Sequence, residues 1–213
     1  MAKVKTRERI LAASLALFNE EGEAQVSTVD IAAAIDISPG NLYYHFKGKE
    51  AIIEALFDDF EVELRQVLSA PINRPLKIDD NWIFVYIVFE EINDFRFFYN
   101  NLAGILERCP DLRPRFARLT ALKEKTANAV LSALEQEDVL TFAKGERAAL
   151  ARRIAAHLTF WLQFATLASN APQTPRQMIN DGVYALMMQT VPYMAADRAA
   201  FAGLLSDYFA AQR

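Results

Sequence analysis

Two helix-start signals eleven residues apart constrain this chain more tightly than anything else in it. Ser27-Thr28-Val29-Asp30 places a hydroxyl at an N-cap and an acid three residues on, a capping box leading into Ile31-Ala-Ala-Ala-Ile35. Ser38-Pro39 is a second N-cap, followed by proline at the first helical position, where the missing N–H costs nothing. Little but Asp36-Ile37 separates the two, so the spacing predicts two brief helices joined by a tight turn, a helix-turn-helix over about residues 27–46. The second helix of such a unit can lie in a major groove with its N-terminal residues facing base edges. In Gly40-Asn-Leu-Tyr-Tyr-His-Phe46, Leu42 and Phe46 are four apart and form the inward stripe, which leaves Asn41, Tyr43, Tyr44 and His45 as polar-tipped residues. A helix that served only the core would not need so many hydrogen-bonding tips outside.

The remainder reads as helix almost throughout. Seven glycines in 213 residues are few, and no run of period-2 alternation bounded by turn residues marks a hairpin, so the fold class is all-α, with nine or ten helices between the Gly and Pro breaks. The first helix is expected from about Thr6 to Glu21, stopped by Gly22, and a connecting helix from Lys49 to Ser69. No solenoid-length repeat is present. The single cysteine, Cys109, cannot pair within the chain, and no zinc-ligand spacing occurs, so no metal or cofactor is expected. Residues 1–7 lack the apolar stretch of a signal peptide, and the longest apolar run, Trp82 to Phe89, is too short to span a bilayer, which favours a cytoplasmic setting. That run is apolar all round and is expected to be buried on several sides.

Charge pulls the other way from the helix-turn-helix. The net charge is −4 and the pI about 5.3, whereas a nucleic-acid binder is first sought by a basic patch. The exception is local: Lys3, Lys5, Arg7 and Arg9 face only Glu8. Binding to phosphate must come from placement of cations and polar tips, not from bulk charge, and Lys3 and Lys5 on an N-terminal arm are candidates for nonspecific attraction.

Thr6 to Phe18, then Ser27-Thr-Val-Asp-Ile-Ala, then Ile37-Ser-Pro-Gly-Asn-Leu-Tyr-Tyr-His-Phe-Lys-Gly-Lys-Glu50 together resemble the N-terminal domain of the TetR family of bacterial transcriptional regulators. The resemblance covers roughly residues 6–60 and implies a DNA-binding domain over 4–64 and an effector-binding and dimerisation domain over 65–213. It further implies that Thr28, Tyr43, His45 and Lys49 hold DNA phosphates and that Gly40, Asn41 and Tyr44 face the groove, with Ser38 at the helix start among the DNA-binding residues. Asn41 is the best reader of an edge, because an amide donates and accepts together to adenine. The chain departs from the family in the turn, where Asp36 stands in place of the usual glycine; aspartate also tolerates a left-handed conformation.

Beyond residue 65 the apolar residues admit two arrangements. Trp82, Tyr86, Phe89, Phe98, Phe116, Phe160 and Phe164 either close as a solid core or line a cavity for a small apolar effector, the second being what the resemblance implies. Asn81, Asn100 and Gln163 are candidate polar anchors in it. Leu150, Ile154, Leu158, Trp161 and Ala165, with Ile179, Val183 and Leu186 after the Pro172–Pro175 break, recur every three or four residues in two successive helices. Such stripes face either the chain's own core or a second copy; the family pairs its equivalent helices into a four-helix dimer interface. The reading that follows is a homodimeric repressor binding an inverted-repeat operator in double-stranded DNA and released by a small effector. The alternatives are a DNA-binding protein of this kind that is controlled by a protein partner or does not respond to ligand, and an all-helical enzyme. No nucleophile–base pairing, phosphate loop or metal spacing supports the enzyme.

Overall fold

The structure is a computed structural model that describes residues 5–69, 78–169, 173–196 and 198–210, with the side chains of 78–81, 208 and 209 not described. Lys3 of the arm and the side chain of Asn81 lie outside the described residues. The described residues form eleven α-helices: α1 (Thr6–Leu17), α2 (Thr28–Ala34), α3 (Pro39–His45), α4 (Lys49–Leu68), α5 (Ile78–Asp94), α6 (Arg96–Asn100), α7 (Leu102–Arg108), α8 (Leu112–Gln136), α9 (Glu146–Ala168), α10 (Pro175–Met188) and α11 (Arg198–Ala210). A π turn (Phe18–Gly22) closes α1, and Gly22 at φ +87° occupies the left-handed region that ends it. Extended pairing among the described residues is confined to one antiparallel bridge, Leu140 with Met194.

The chain divides into two compact units, residues 1–63 with 94–116 and residues 64–93 with 117–213. The division expected from the sequence lies at 64/65; residues 94–116, which it assigns to the second domain, pack with the first unit. Asn19 explains part of this: its Nδ2 donates to the Asp94 carbonyl (2.7 Å) and its Oδ1 accepts from the Phe97 N–H (3.1 Å).

In the first unit, α1 packs on α2 and α2 on α3. Ile10, Leu11, Phe18, Ile31, Leu42 and Phe46 are buried, so the inward stripe read from α3 is the one that docks it. Burying each such side chain contributes roughly 1.5–3 kcal/mol. Below the helix-turn-helix, Phe57, Phe60, Phe95, Phe97, Phe98, Tyr99 and Phe116 interlock in tilted and edge-to-face pairs, with Phe57 to Phe116 at 4.7 Å and Phe57 to Phe98 at 5.3 Å. Phe98 and Phe116, expected as pocket residues, belong to this solid core.

In the second unit, α10 crosses α9 closely at Gly182, where an added Cβ would meet Trp161 at 2.6 Å and Phe89 at 3.0 Å. Trp161 Nε1 donates to the Met178 carbonyl (2.8 Å), and His157, stacked on Trp161 at 4.8 Å, bonds the Gly182 carbonyl through Nε2 (3.0 Å) and Gln189 through Nδ1 (3.2 Å). Burial holds the His157 pKa below the usual imidazole value. Leu150, Ile154, Leu158, Ala165, Ile179, Val183 and Leu186 are buried within this one chain. Apart from Trp161, which is half-buried, the stripe expected to meet a second copy is thus an internal face of the α9–α10 pair. An adjacent stripe of α9 is exposed instead: Phe160 (52%), Phe164 (58%) and Leu167 (87%). Spacing alone could not choose between the stripes, because both recur every three or four residues.

Candidate nucleic-acid interface

The helix-turn-helix is built by caps. Ser27 is extended, its Oγ accepts from the Asp30 N–H (3.3 Å), and the Asp30 carboxylate accepts from the Ser27 N–H (2.8 Å) and Oγ (2.6 Å). Those bonds, the side-chain one foremost, hold the Asp30 pKa below the ordinary carboxylate value. At the other end of α2 the Ile37 N–H donates to the Ala32 carbonyl (3.0 Å) and the Asp36 N–H to the Ala33 carbonyl (3.2 Å). This is a Schellman motif, and Asp36 fills its left-handed position at φ +55°, as the sequence allowed. Ser38 then caps α3, its Oγ accepting from the Asn41 N–H (3.2 Å), with Pro39 at N1. Arg9 of α1 donates from Nη2 to the Ile35 carbonyl (2.6 Å), so the first helix clips the turn.

The outward side of α3 carries what the sequence assigned to it. Ser38, Gly40 and Asn41 are exposed, Tyr43 is 58% and Tyr44 77% exposed, and Thr28 and His45 are half-buried. Two large aromatics held in solvent side by side are an expensive surface for the chain alone. Gly40 adds to this. A Cβ there would meet nothing closer than Ser38 Oγ at 3.9 Å, so the fold itself does not require the glycine, whereas close approach of an external backbone would. Lys47 lies over the Tyr43 ring at 4.6 Å and the Arg7 guanidinium over Phe46 at 5.1 Å. Sequence pattern did not single out these two contacts or the Arg9 clip. Lys47 was legible only as the residue following Phe46, and the clip leaves no local signal.

Lys49 is placed differently from the expectation. Its Nζ donates to the carbonyls of Glu23 (2.9 Å) and Val26 (3.0 Å) and pairs with Glu23 Oε1 at 3.1 Å. The buried Glu23 carboxylate also receives Asn101 Nδ2 (3.1 Å) and Arg108. Two hydrogen bonds and one ion pair inside the chain make Lys49 the pin between the segment before α2 and the start of α4.

The aromatic pocket residues are dispersed. Phe89 is buried against His157, Trp82 and Tyr86 are half-buried, and Phe160 and Phe164 face solvent. The run Trp82 to Phe89 is not buried all round, since Ile83 and Ile87 are exposed. A cavity of about 60 Å³ does exist in the second unit, lined by Leu68, Phe84, Val88, Lys123, Leu131 and Leu158 among others and by none of the seven aromatics named for it. On an all-apolar run periodicity carries no phase, so the helix face was not legible. The polar anchors Asn100 and Gln163 do not line this cavity. No group of three or more metal-ligating side chains occurs among the described residues, and no helix there is long and apolar enough to cross a membrane.

Known proteins agree with this geometry. A family model described as bacterial regulatory proteins of the tetR family matches residues 10–56, and one described as bacterial transcriptional repressor matches residues 59–201. The crystal structure of a TetR-family transcriptional regulator from Marinobacter aquaeolei VT8 superposes on 96% of this chain and 99% of its own with a TM-score of 0.86 at 30% identity. Salmonella enterica GusR, at 23% identity and a TM-score of 0.59 over 89% of this chain and 97% of its own, shares the fold. The transcriptional regulator UidR of Escherichia coli K12 is 47% identical over 51 residues, 24% of this chain. The chain spans only about a quarter of the length of the curated relatives it matches, 26% of UidR and 28% of the probable regulator YttP of Bacillus subtilis. These relatives are regulators of transcription, not enzymes. Through both family models, the full-length structural match and a helix-turn-helix with an outward-facing reading helix, the chain belongs to the TetR family of bacterial transcriptional regulators.

Proposed function

We propose that two copies of this chain bind an inverted-repeat operator as a cytoplasmic repressor and leave it when a small, largely apolar effector occupies the cavity of the second unit. The observation that carries the DNA half is the exposed row Gly40, Asn41, Tyr43 and Tyr44 on a helix whose position is fixed by caps at both ends of the turn. In this reading Asn41 and Tyr44 face base edges, Gly40 allows close approach, and Ser38, Thr28, Tyr43 and His45 meet phosphate. Lys47 takes the phosphate role expected of Lys49, which is occupied internally.

The second copy docks on the exposed α9 stripe of Phe160, Phe164 and Leu167, an apolar row too large to leave in water without reason. Two-fold symmetry of the protein then requires the (pseudo)palindrome in the DNA. The cavity supports a small-molecule effector over a protein partner as the signal. An effector acts only by preferring a conformation whose reading heads fit DNA poorly. Complete switching requires about 10⁴-fold preference, or roughly 5.5 kcal/mol. Helix α4 is the covalent route, since its first residue, Lys49, is pinned in the first unit and its last, Leu68, lines the cavity of the second.

Enrichment of genomic fragments by the full-length protein tests the first half. Fragments sharing an inverted repeat are expected, bound by two chains. Failure to enrich any fragment, or binding of one chain per site, would remove the proposal.

A further inference from the structure

The cavity wall is apolar with one charged residue among the described residues that line it, Lys123 of α8. This side chain is buried, and its Nζ lies 3.3 Å from Thr159 Oγ1. The Thr159 hydroxyl gives its own proton to the Ala155 carbonyl (2.7 Å), so it presents a lone pair to the lysine. The two hydroxyls in the lining are likewise turned to backbone: Thr126 donates to the Leu68 carbonyl (3.0 Å) and Thr190 to that of Met187 (2.7 Å). The strong hydrogen-bond donor of the wall is therefore the Lys123 amine. Burial pushes its pKa down to about 7, because the ammonium is costly among these side chains.

A wholly apolar guest brings nothing to offset that cost. A guest with a carboxylate reverses it, bringing an opposite charge and a charge-assisted hydrogen bond into a low-dielectric site. The volume sets the size: about 60 Å³, at roughly 10–15 Å³ for each water-sized sphere, admits on the order of four to six heavy atoms. We propose that the effector is a short-chain monocarboxylic acid, its carboxylate on Lys123 Nζ and its hydrocarbon body against Val88, Leu131 and Leu158. This assignment rests on the reading of the cavity as the effector site.

Calorimetric titration of the full-length protein with butanoate, 1-butanol and butylamine, matched in chain length, separates head group from body. Butanoate is expected to bind at least tenfold tighter than butanol, and butylamine more weakly than either. Lys123→Met, with its helical circular dichroism and melting confirmed, is expected to erase the preference for butanoate over butanol. Equal binding of butanoate and butanol to the parent, or a preference that survives Lys123→Met, overturns the carboxylate assignment while leaving the cavity as a ligand site. Binding of none of the three overturns the assignment and the effector reading together.

Discussion

Each of the two units is stabilised internally by a different mix of interactions. In the first, position-specific polar bonds are added to an aromatic core: the Ser27–Asp30 box, the left-handed Asp36, the Arg9 clip and the Lys49–Glu23–Arg108 cluster fix the helix-turn-helix in place. The second is held mainly by apolar helix faces crossing at Gly182, with a cavity and a buried amine left inside. The difference suits the division of labour. Under the proposed function, a helix that presents Asn41 to a groove has to be held to a fraction of an ångström, whereas a domain that responds to a guest needs a wall that can repack.

Breaking one polar pin tests the first half of the contrast. Lys49→Ala leaves the buried Glu23 carboxylate short of a cation and is expected to destabilise the protein by about 3 kcal/mol, read by denaturant unfolding. If the variant unfolded like the parent and instead lost only DNA affinity, Lys49 would be a phosphate contact after all. On the apolar side, Gly182→Ala forces a methyl into Trp161 and Phe89 and is expected to cost about 2 kcal/mol, with the melting temperature as the readout. A neutral result would mean that the α9–α10 crossing relaxes freely. Smaller again, Asp36→Gly removes a left-handed non-glycine residue and is expected to stabilise by about 1 kcal/mol, without altering the operator chosen. Loss of binding in that variant would show that the Asp36 side chain does more than turn the chain.

Lys123 sharpens the contrast through pH. Its folded pKa of about 7 lies below the unfolded value, so between about pH 7 and 10 the unfolded chain holds the extra proton and stability rises with pH. Parent minus Lys123→Met unfolding free energies are expected to grow over that window; a flat difference would place the amine in water.

How far the sequence was legible follows the same division. Ser27, Asp30, Ser38 and Pro39 are residue types with one good use at one helix position, so residue identity alone marks both short helices, the turn and the exposed tips of α3. Apolar spacing is less specific. It located α9 and α10 but not which stripe of α9 faces outward, and it located α5 but not that Phe84 and Val88, rather than Trp82 and Tyr86, line the cavity. Long-range partners such as Arg9 with Ile35, Lys49 with Glu23, and Asn19 with Asp94 leave no local mark at all. A lone apolar-helix lysine such as Lys123 becomes informative only when its surroundings are known.

The most direct measurement compares the parent and Asn41→Ala on every single-base variant of the operator that the parent selects. The result expected is loss of discrimination at one symmetric pair of positions, about 1–3 kcal/mol at each, with discrimination elsewhere and the melting temperature unchanged. Identical profiles for the two proteins would contradict the placement of α3 in the groove.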